Sequence, residues 1–83
     1  MPRLVLYGTL GCHLCEVAES LLASELNPQQ NPVEVVDIAN EDRLVEHYGV
    51  RIPVLQDQLS GRELGWPFDA AQLQRFVASL QAQ

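Results

Sequence analysis

Cys12 and Cys15 are the two cysteines of the chain, and they stand three positions apart. On a helix that spacing brings two side chains onto one face, one turn from each other. Two thiols so placed suit three kinds of chemistry. They can close and reopen a disulfide, contribute to a metal or iron–sulfur site, or fill a core as small apolar groups. Structural zinc needs four ligands, and the other soft candidates are His13, between the cysteines, and His47. That set is too poor for zinc within one chain, so no intrachain metal is expected. Three readings remain beside redox exchange: an iron–sulfur or metal carrier with Cys12 of two protomers as ligands, an inert buried pair, and a non-catalytic binding module.

The elements that must position the pair follow from periodicity. Leu4 to Tyr7 is an unbroken apolar run, as in a strand covered on both faces. Gly8 to Gly11 breaks it with two glycines, and from Cys12 apolar residues recur at helical spacing through Leu14, Val17/Ala18, Leu21/Leu22 and Leu26. Asn27-Pro28 and Asn31-Pro32 stop that helix, and Val33 to Val36 reads as a second strand, parallel to the first. Asn40 is placed to cap a short helix whose inner face is Leu44, Val45 and Tyr48 and whose stop is Gly49. Pro53 opens a third strand through Gln56, Asp57 to Gly61 forms a turn, and Arg62 to Leu64 returns as a hairpin partner. Asp69 and Gln72 form a capping box before the last helix, with Phe68 and Leu73 as a hydrophobic staple. Leu73, Phe76, Val77 and Leu80 form its buried stripe. The order β-α-β-α-β-β-α is best buried as one domain over residues 1–83, a mixed four-stranded sheet flanked by helices.

This arrangement places Cys12 at a helix N-terminus, where unpaired N–H groups and peptide dipoles favour a thiolate. Cys12 is then the nucleophile toward a disulfide, and Cys15, a turn deeper and shielded, the group that resolves the mixed disulfide. His13 is a candidate modulator of that thiolate or a proton carrier.

The segment Tyr7-Gly8-Thr9-Leu10-Gly11-Cys12-His13-Leu14-Cys15 resembles the active-site segment of glutaredoxins and thioredoxins. Arg51-Ile52-Pro53-Val54-Leu55 is similar to their strand opened by a cis-proline, and Leu64 to Asp69 stands where glutaredoxins carry a Gly-Gly-x-Asp segment. The match runs over nearly the whole chain and looks closest to short bacterial glutaredoxin-like proteins of unassigned substrate. It implies a thioredoxin-like fold and a thiol–disulfide oxidoreductase contributing to cell redox homeostasis and electron transport. It also implies that Ile52 and Pro53 shape the substrate groove, with the backbone before the proline pairing with the incoming chain. Some family features are absent. The Lys common before the first cysteine is missing from Gly8-Thr9-Leu10. The second Gly is Trp66, the acid is Phe68, and Pro67 removes a backbone donor. The first strand holds no counterpart of the buried acid of thioredoxins. Arg51 is the candidate replacement for the missing positive charge. Trp66 is a candidate lip for a protein substrate or, equally, packing beneath the last helix.

Composition bounds the partners. Eleven acidic residues against five Lys and Arg give a net charge of −6, and all five cations are scattered arginines. A phosphate-binding surface needs clustered cations, so nucleic acid is not expected as a partner. The apolar run after Met-Pro-Arg is too short for a secretory signal, and no stretch is long enough to cross a membrane. A reducing, cytoplasmic location follows by default. The expected partner is a disulfide-containing protein or a glutathione mixed disulfide, met by a monomer. No resident cofactor is expected, and glutathione enters at most as co-substrate.

Overall fold

The computed structural model describes residues 3–81. β1 (Leu4–Gly8) leads into α1 (His13–Glu25) and β2 (Val33–Asp37). A 3-10 turn (Ile38–Asn40) and α2 (Asp42–Tyr48) follow, then β3 (Val54–Asp57), β4 (Glu63–Gly65) and α3 (Ala70–Gln81). The sheet order is β2-β1-β3-β4, with β1 parallel to β2 and antiparallel to β3, and β3 antiparallel to β4. β1 is therefore an inner strand, which is why its sequence is apolar without alternation.

Alternate residues of the sheet feed two cores. Leu4, Leu6 and Leu55 pack with Ala18, Leu22 and Leu26 of the first helical segment and with Leu73, Phe76, Val77 and Leu80 of α3. On the other face Val54 meets Ile38 and Tyr48, with Tyr7, Leu44 and Ile52 at the margin. α1 and α3 thus cover one face, and α2 with the 3-10 turn covers part of the other. The capping box forms as expected: Gln72 N–H donates to Asp69 Oδ1 at 2.8 Å, and Asp69 N–H to Gln72 Oε1 at 2.9 Å. Phe68 and Leu73 are both buried in the main core.

Some local expectations differ from what forms. The stripe of α1 runs through Cys15, Ala18 and Leu22, and Leu14 and Val17 lie outside it, exposed. Once Cys15 points inward, a step of about 100° per residue carries its neighbour Leu14 to the side. Asn40 does not cap α2. The carboxylate of Asp37 takes the Ala39 N–H at 2.9 Å and starts the chain turning directly after β2. Asn40 then ends the 3-10 turn, and Glu41 stands at the N-cap of α2 with no side-chain hydrogen bond. Within α2, two turns long, Tyr48 is buried and Leu44 is half-buried, whereas Val45 faces out. β3 begins one residue after Pro53 and extends to Asp57.

That last residue was expected in a turn, and its burial is complete. Its carboxylate accepts Arg3 Nε at 2.5 Å and Arg3 Nη2 at 3.2 Å, and also the Ser60 N–H at 3.0 Å and Ser60 Oγ at 2.6 Å. A buried carboxylate is tolerated only when its lone pairs are filled in this way. The hydrogen bonds from Arg3, with help from Ser60, outweigh burial and hold the acid well below the usual carboxylate range. Its stabilising contribution is therefore complete above about pH 4 and is lost as pH falls further. Asp57→Ala is expected to cost about 2–4 kcal/mol in urea unfolding at neutral pH. Asp57→Asn is expected to flatten the fall in stability below about pH 4 that the parent chain shows.

Candidate functional site

The site is built where β1 runs into α1. Gly8 ends the strand directly against the helix, and a Cβ placed there would stand 3.1 Å from Cys15 Sγ and 3.2 Å from its Cβ. Gly11 has φ +79°, a left-handed conformation that a glycine adopts freely, and it turns the chain into the helix. Cys12 is then the N-cap residue, with extended φ and ψ of −91° and 105°. The Cys15 N–H donates to Cys12 Sγ at 3.1 Å, so the sulfur satisfies one of the free donors of the first turn. The two sulfurs are in disulfide contact, with the Cα atoms 5.2 Å apart. Cys12 is half-buried, and Cys15 is only 3% exposed. Thr9 Oγ1 donates to Asp37 Oδ1 at 2.9 Å and ties the connecting loop to the end of β2. A cavity of about 170 Å³ lies beside Cys15, lined also by Gly8, Thr9, Leu10, Glu19 and Asp37 among others.

The Ile52–Pro53 segment reaches the same end of the sheet. Tyr7 pairs with Val54, so one further step of the antiparallel register sets Pro53 opposite Gly8. The Ile52–Pro53 bond is cis, and the Pro53 ring is fully buried. Ile52 is half-buried, and its N–H donates to the Tyr48 carbonyl at 3.1 Å, beside the Arg51 N–H at 2.7 Å. Pro53 in turn accepts the Trp66 N–H at 3.1 Å. Trp66 is half-buried against the main core, its ring edge-on to Phe68 with centroids 5.1 Å apart, and its bond to Pro67 is also cis.

Arg51, the candidate source of positive charge, is engaged. Its Nη2 lies 2.5 Å from Glu63 Oε1, its Nη1 3.2 Å from His47 Nε2, and its guanidinium 5.1 Å from the centre of the Tyr48 ring. The other oxygen of Glu63 accepts the Tyr48 hydroxyl at 2.6 Å. Burial works to raise the Glu63 carboxyl, but hydrogen bonds from Tyr48 and Arg51 overcome it and hold it below its ordinary value. Burial, reinforced by Glu63, pushes the Tyr48 phenol well up. Tyr7 stacks on Tyr48 at 4.3 Å and donates to Gln56 Oε1 at 3.2 Å. His13 is open to solvent, its Nδ1 3.9 Å from Glu16 Oε2. The structure thus gathers Cys12, Cys15, Ile52 and Pro53 at one end of the sheet, with Trp66 bonded to Pro53. Sequence reasoning missed Tyr48 and Glu63, which fix Arg51. Only strand pairing brings Glu63 to them, and no spacing along the chain signals it.

A family model described as Glutaredoxin-like domain (DUF836) matches residues 3–78. The chain belongs to that family. Among solved structures, this glutaredoxin-like chain is similar to the X-ray structure of the structural genomics target protein XcR50 from X. campestris. Identity is 39%, the match covers 92% of this chain and 96% of that one, and the TM-score is 0.80. The solution structure of XcR50 gives 39% identity, 95% coverage of each chain and a TM-score of 0.79. Protein Ne2328 from Nitrosomonas europaea is 30% identical over 92% of each chain, with a TM-score of 0.70. No curated protein matches. The fold of this glutaredoxin-like domain is accordingly thioredoxin-like, as the resemblance implied. Among the described residues no group of three or more His, Cys, Asp or Glu side chains is placed to hold a metal ion, and no helix is long and apolar enough to cross a membrane.

Gly8→Ala tests the close approach on which the pair depends. The added methyl is expected to cost about 1–3 kcal/mol by overpacking against Cys15. Urea unfolding of the oxidised protein checks this, and a loss no larger than at an open glycine such as Gly65 would refute it.

Proposed function

We propose that this glutaredoxin-like domain is a thiol–disulfide oxidoreductase in which Cys12 is the nucleophile and Cys15 the resolving thiol. The observation that carries the reading is the position of Cys12. Its sulfur sits at the N-cap of α1 on the Cys15 N–H, half-open to solvent, with the buried Cys15 sulfur in bonding reach. A hydrogen bond of that kind strengthens when the sulfur carries charge, and the helix N-terminus adds partial positive charge.

The reaction balances within the pair and its substrate. The Cys12 thiolate attacks one sulfur of R–S–S–R, forms Cys12–S–S–R and expels RS⁻, which takes up a proton. The Cys15 thiol loses its proton and attacks Cys12 Sγ. The Cys12–Cys15 disulfide forms, and the second RS⁻ leaves as RSH. The domain gives up two electrons and two protons, which an external dithiol or two monothiols restore. No resident cofactor is needed.

The remaining residues have supporting roles in this reading. Pro53 holds the chain beside the cysteines. With the Ile52 N–H already given to Tyr48, the Ile52 carbonyl is the group that accepts an N–H from an extended substrate. Trp66 offers its half-buried ring, and His13 modulates the thiolate from solvent. Arg51 borders the groove. The substrate is a protein disulfide or a small mixed disulfide, handled by a monomer in a reducing compartment such as the cytoplasm.

Cys12→Ser is expected to reduce disulfide turnover to the uncatalysed background. Cys15→Ser is expected to stop after the first step, leaving a mixed disulfide on Cys12 that intact mass after acid quenching reads directly. Full disulfide-reducing activity in Cys12→Ser would overturn the assignment.

A further inference from the structure

Disulfide substrates differ most in the charge they carry next to the sulfurs. A substrate with carboxylates there must exchange water for cations or free N–H donors when it settles against Cys12. The structure has few to offer. Arg51 stands two residues before Pro53, but its guanidinium is neutralised by Glu63. Glu63 is itself mostly shielded and also accepts the Tyr48 hydroxyl, so giving up Arg51 would leave a poorly solvated carboxylate behind. Two backbone donors of the stretch from Trp66 to Asp69 are likewise committed, and a third is missing. The Trp66 N–H is bonded to Pro53, Pro67 has none, and the Asp69 N–H is bonded to Gln72. Asp69 adds its own carboxylate at that place, where it accepts the Gln72 N–H.

The first turn of α1 repeats the pattern. Glu16 lies there, with His13 beside it, and Asp37 stands behind Thr9. Around these the chain carries a net charge of −6. Of the side chains that flank the cysteines along the chain, Leu10 is apolar and 90% exposed, and Leu14 is apolar and also open to water. A disulfide flanked by uncharged or basic groups loses no hydration there that the site fails to replace.

We propose that the Cys12 site, read as an oxidoreductase as above, selects neutral and cationic disulfides and discriminates against carboxylate-bearing ones, with Glu63 enforcing the choice by holding Arg51. The physiological substrate class is then a protein disulfide set among apolar or basic residues, and not the glutathione disulfide.

The test uses the full chain, reduced in advance and freed of reductant. It is mixed with an excess of cystamine (dicationic), bis(2-hydroxyethyl) disulfide (neutral) or glutathione disulfide (anionic). Each reaction is complete in itself: protein dithiol plus R–S–S–R gives protein disulfide plus two R–SH. Acid quenching, thiol blocking and intact mass give the rate constants, each divided by that of free dithiothreitol with the same disulfide to remove intrinsic reactivity. The normalised order expected is cystamine, then hydroxyethyl disulfide, then glutathione disulfide. The ends should differ by about tenfold or more at low salt and draw together near 0.5 M salt, roughly as screening requires. Glu63→Gln keeps an acceptor for Tyr48 and releases Arg51, and it should raise the glutathione-to-hydroxyethyl ratio about threefold or more. If that variant does not fold, the charge series on the parent chain decides alone. Rapid oxidation by all three with glutathione disulfide at least equal to the neutral one would overturn the selectivity and leave the oxidoreductase reading standing. Oxidation by none of them would overturn both.

Discussion

Cys15 packs its sulfur 3.1 Å from where a Cβ on Gly8 would stand, and that contact sets how closely α1 leans over the end of β1. β1 is held in register by β2 on one side and β3 on the other. The helix is held by Ala18 and Leu22 in the main core. With both partners fixed, the buried cysteine is not free to move, and the loop from Thr9 to Gly11 must bring Cys12 back to the N-cap. The left-handed Gly11 and the Thr9–Asp37 hydrogen bond complete that return. The shielded Cys15 and the accessible Cys12 are thus consequences of strand-to-helix packing rather than separate features.

The two ends of the sheet treat charge in opposite ways. At the far end, Arg3 and Asp57 form a pair with the acid wholly buried, and Ser60 fills its remaining acceptor positions. Such a pair adds little net stability over an apolar filling, yet removing one partner is costly, so it acts mainly to fix the register of β1 against β3. At the cysteine end, Arg51 and Glu63 sit nearer to solvent over the stacked Tyr48 and Tyr7. Their effect is local: the Arg51 guanidinium, next in sequence to Ile52, is held on Glu63 and beside His47. Among the described residues Arg3, Arg43 and Arg51 are paired with carboxylates.

Much of this was legible in the sequence because periodicity and capping are local. The switch from an apolar run to helical spacing at Cys12, the proline stops and the Asp69–Gln72 box each lie within a few residues, and each marks an element that forms. Legibility failed where a side chain had two local uses. Asp37 and Asn40 both suit a cap, and the strand end chose Asp37 because its carboxylate meets the first free N–H. Asp57 suits a turn as well as any aspartate. Only the arrival of Arg3, fifty-four positions away, makes it a buried strand residue. Leu14 fits the apolar period of α1 but lies outside the stripe, because Cys15, not a leucine, occupies the inner position of the first turn. The Arg51–Glu63–Tyr48 group was invisible for the same reason as Asp57, since β4 delivers Glu63 through strand pairing alone.

The acidic surroundings and the proposed thiolate chemistry pull in opposite directions, and their magnitudes settle which prevails. A hydrogen bond from a backbone N–H to a charged acceptor contributes roughly 1.5–3 kcal/mol, and it acts at contact within the first turn. An exposed carboxylate such as Glu16 acts through solvent, where two unit charges several ångströms apart interact by about 1 kcal/mol or less, and salt reduces this further. The Cys15 N–H therefore outweighs Glu16 in stabilising charge on Cys12 Sγ. A free substrate has no such contact until it is seated, and the field it crosses on approach is that of the acids. In the proposed chemistry, one set of charges thus leaves the nucleophile activated while sorting the molecules that reach it.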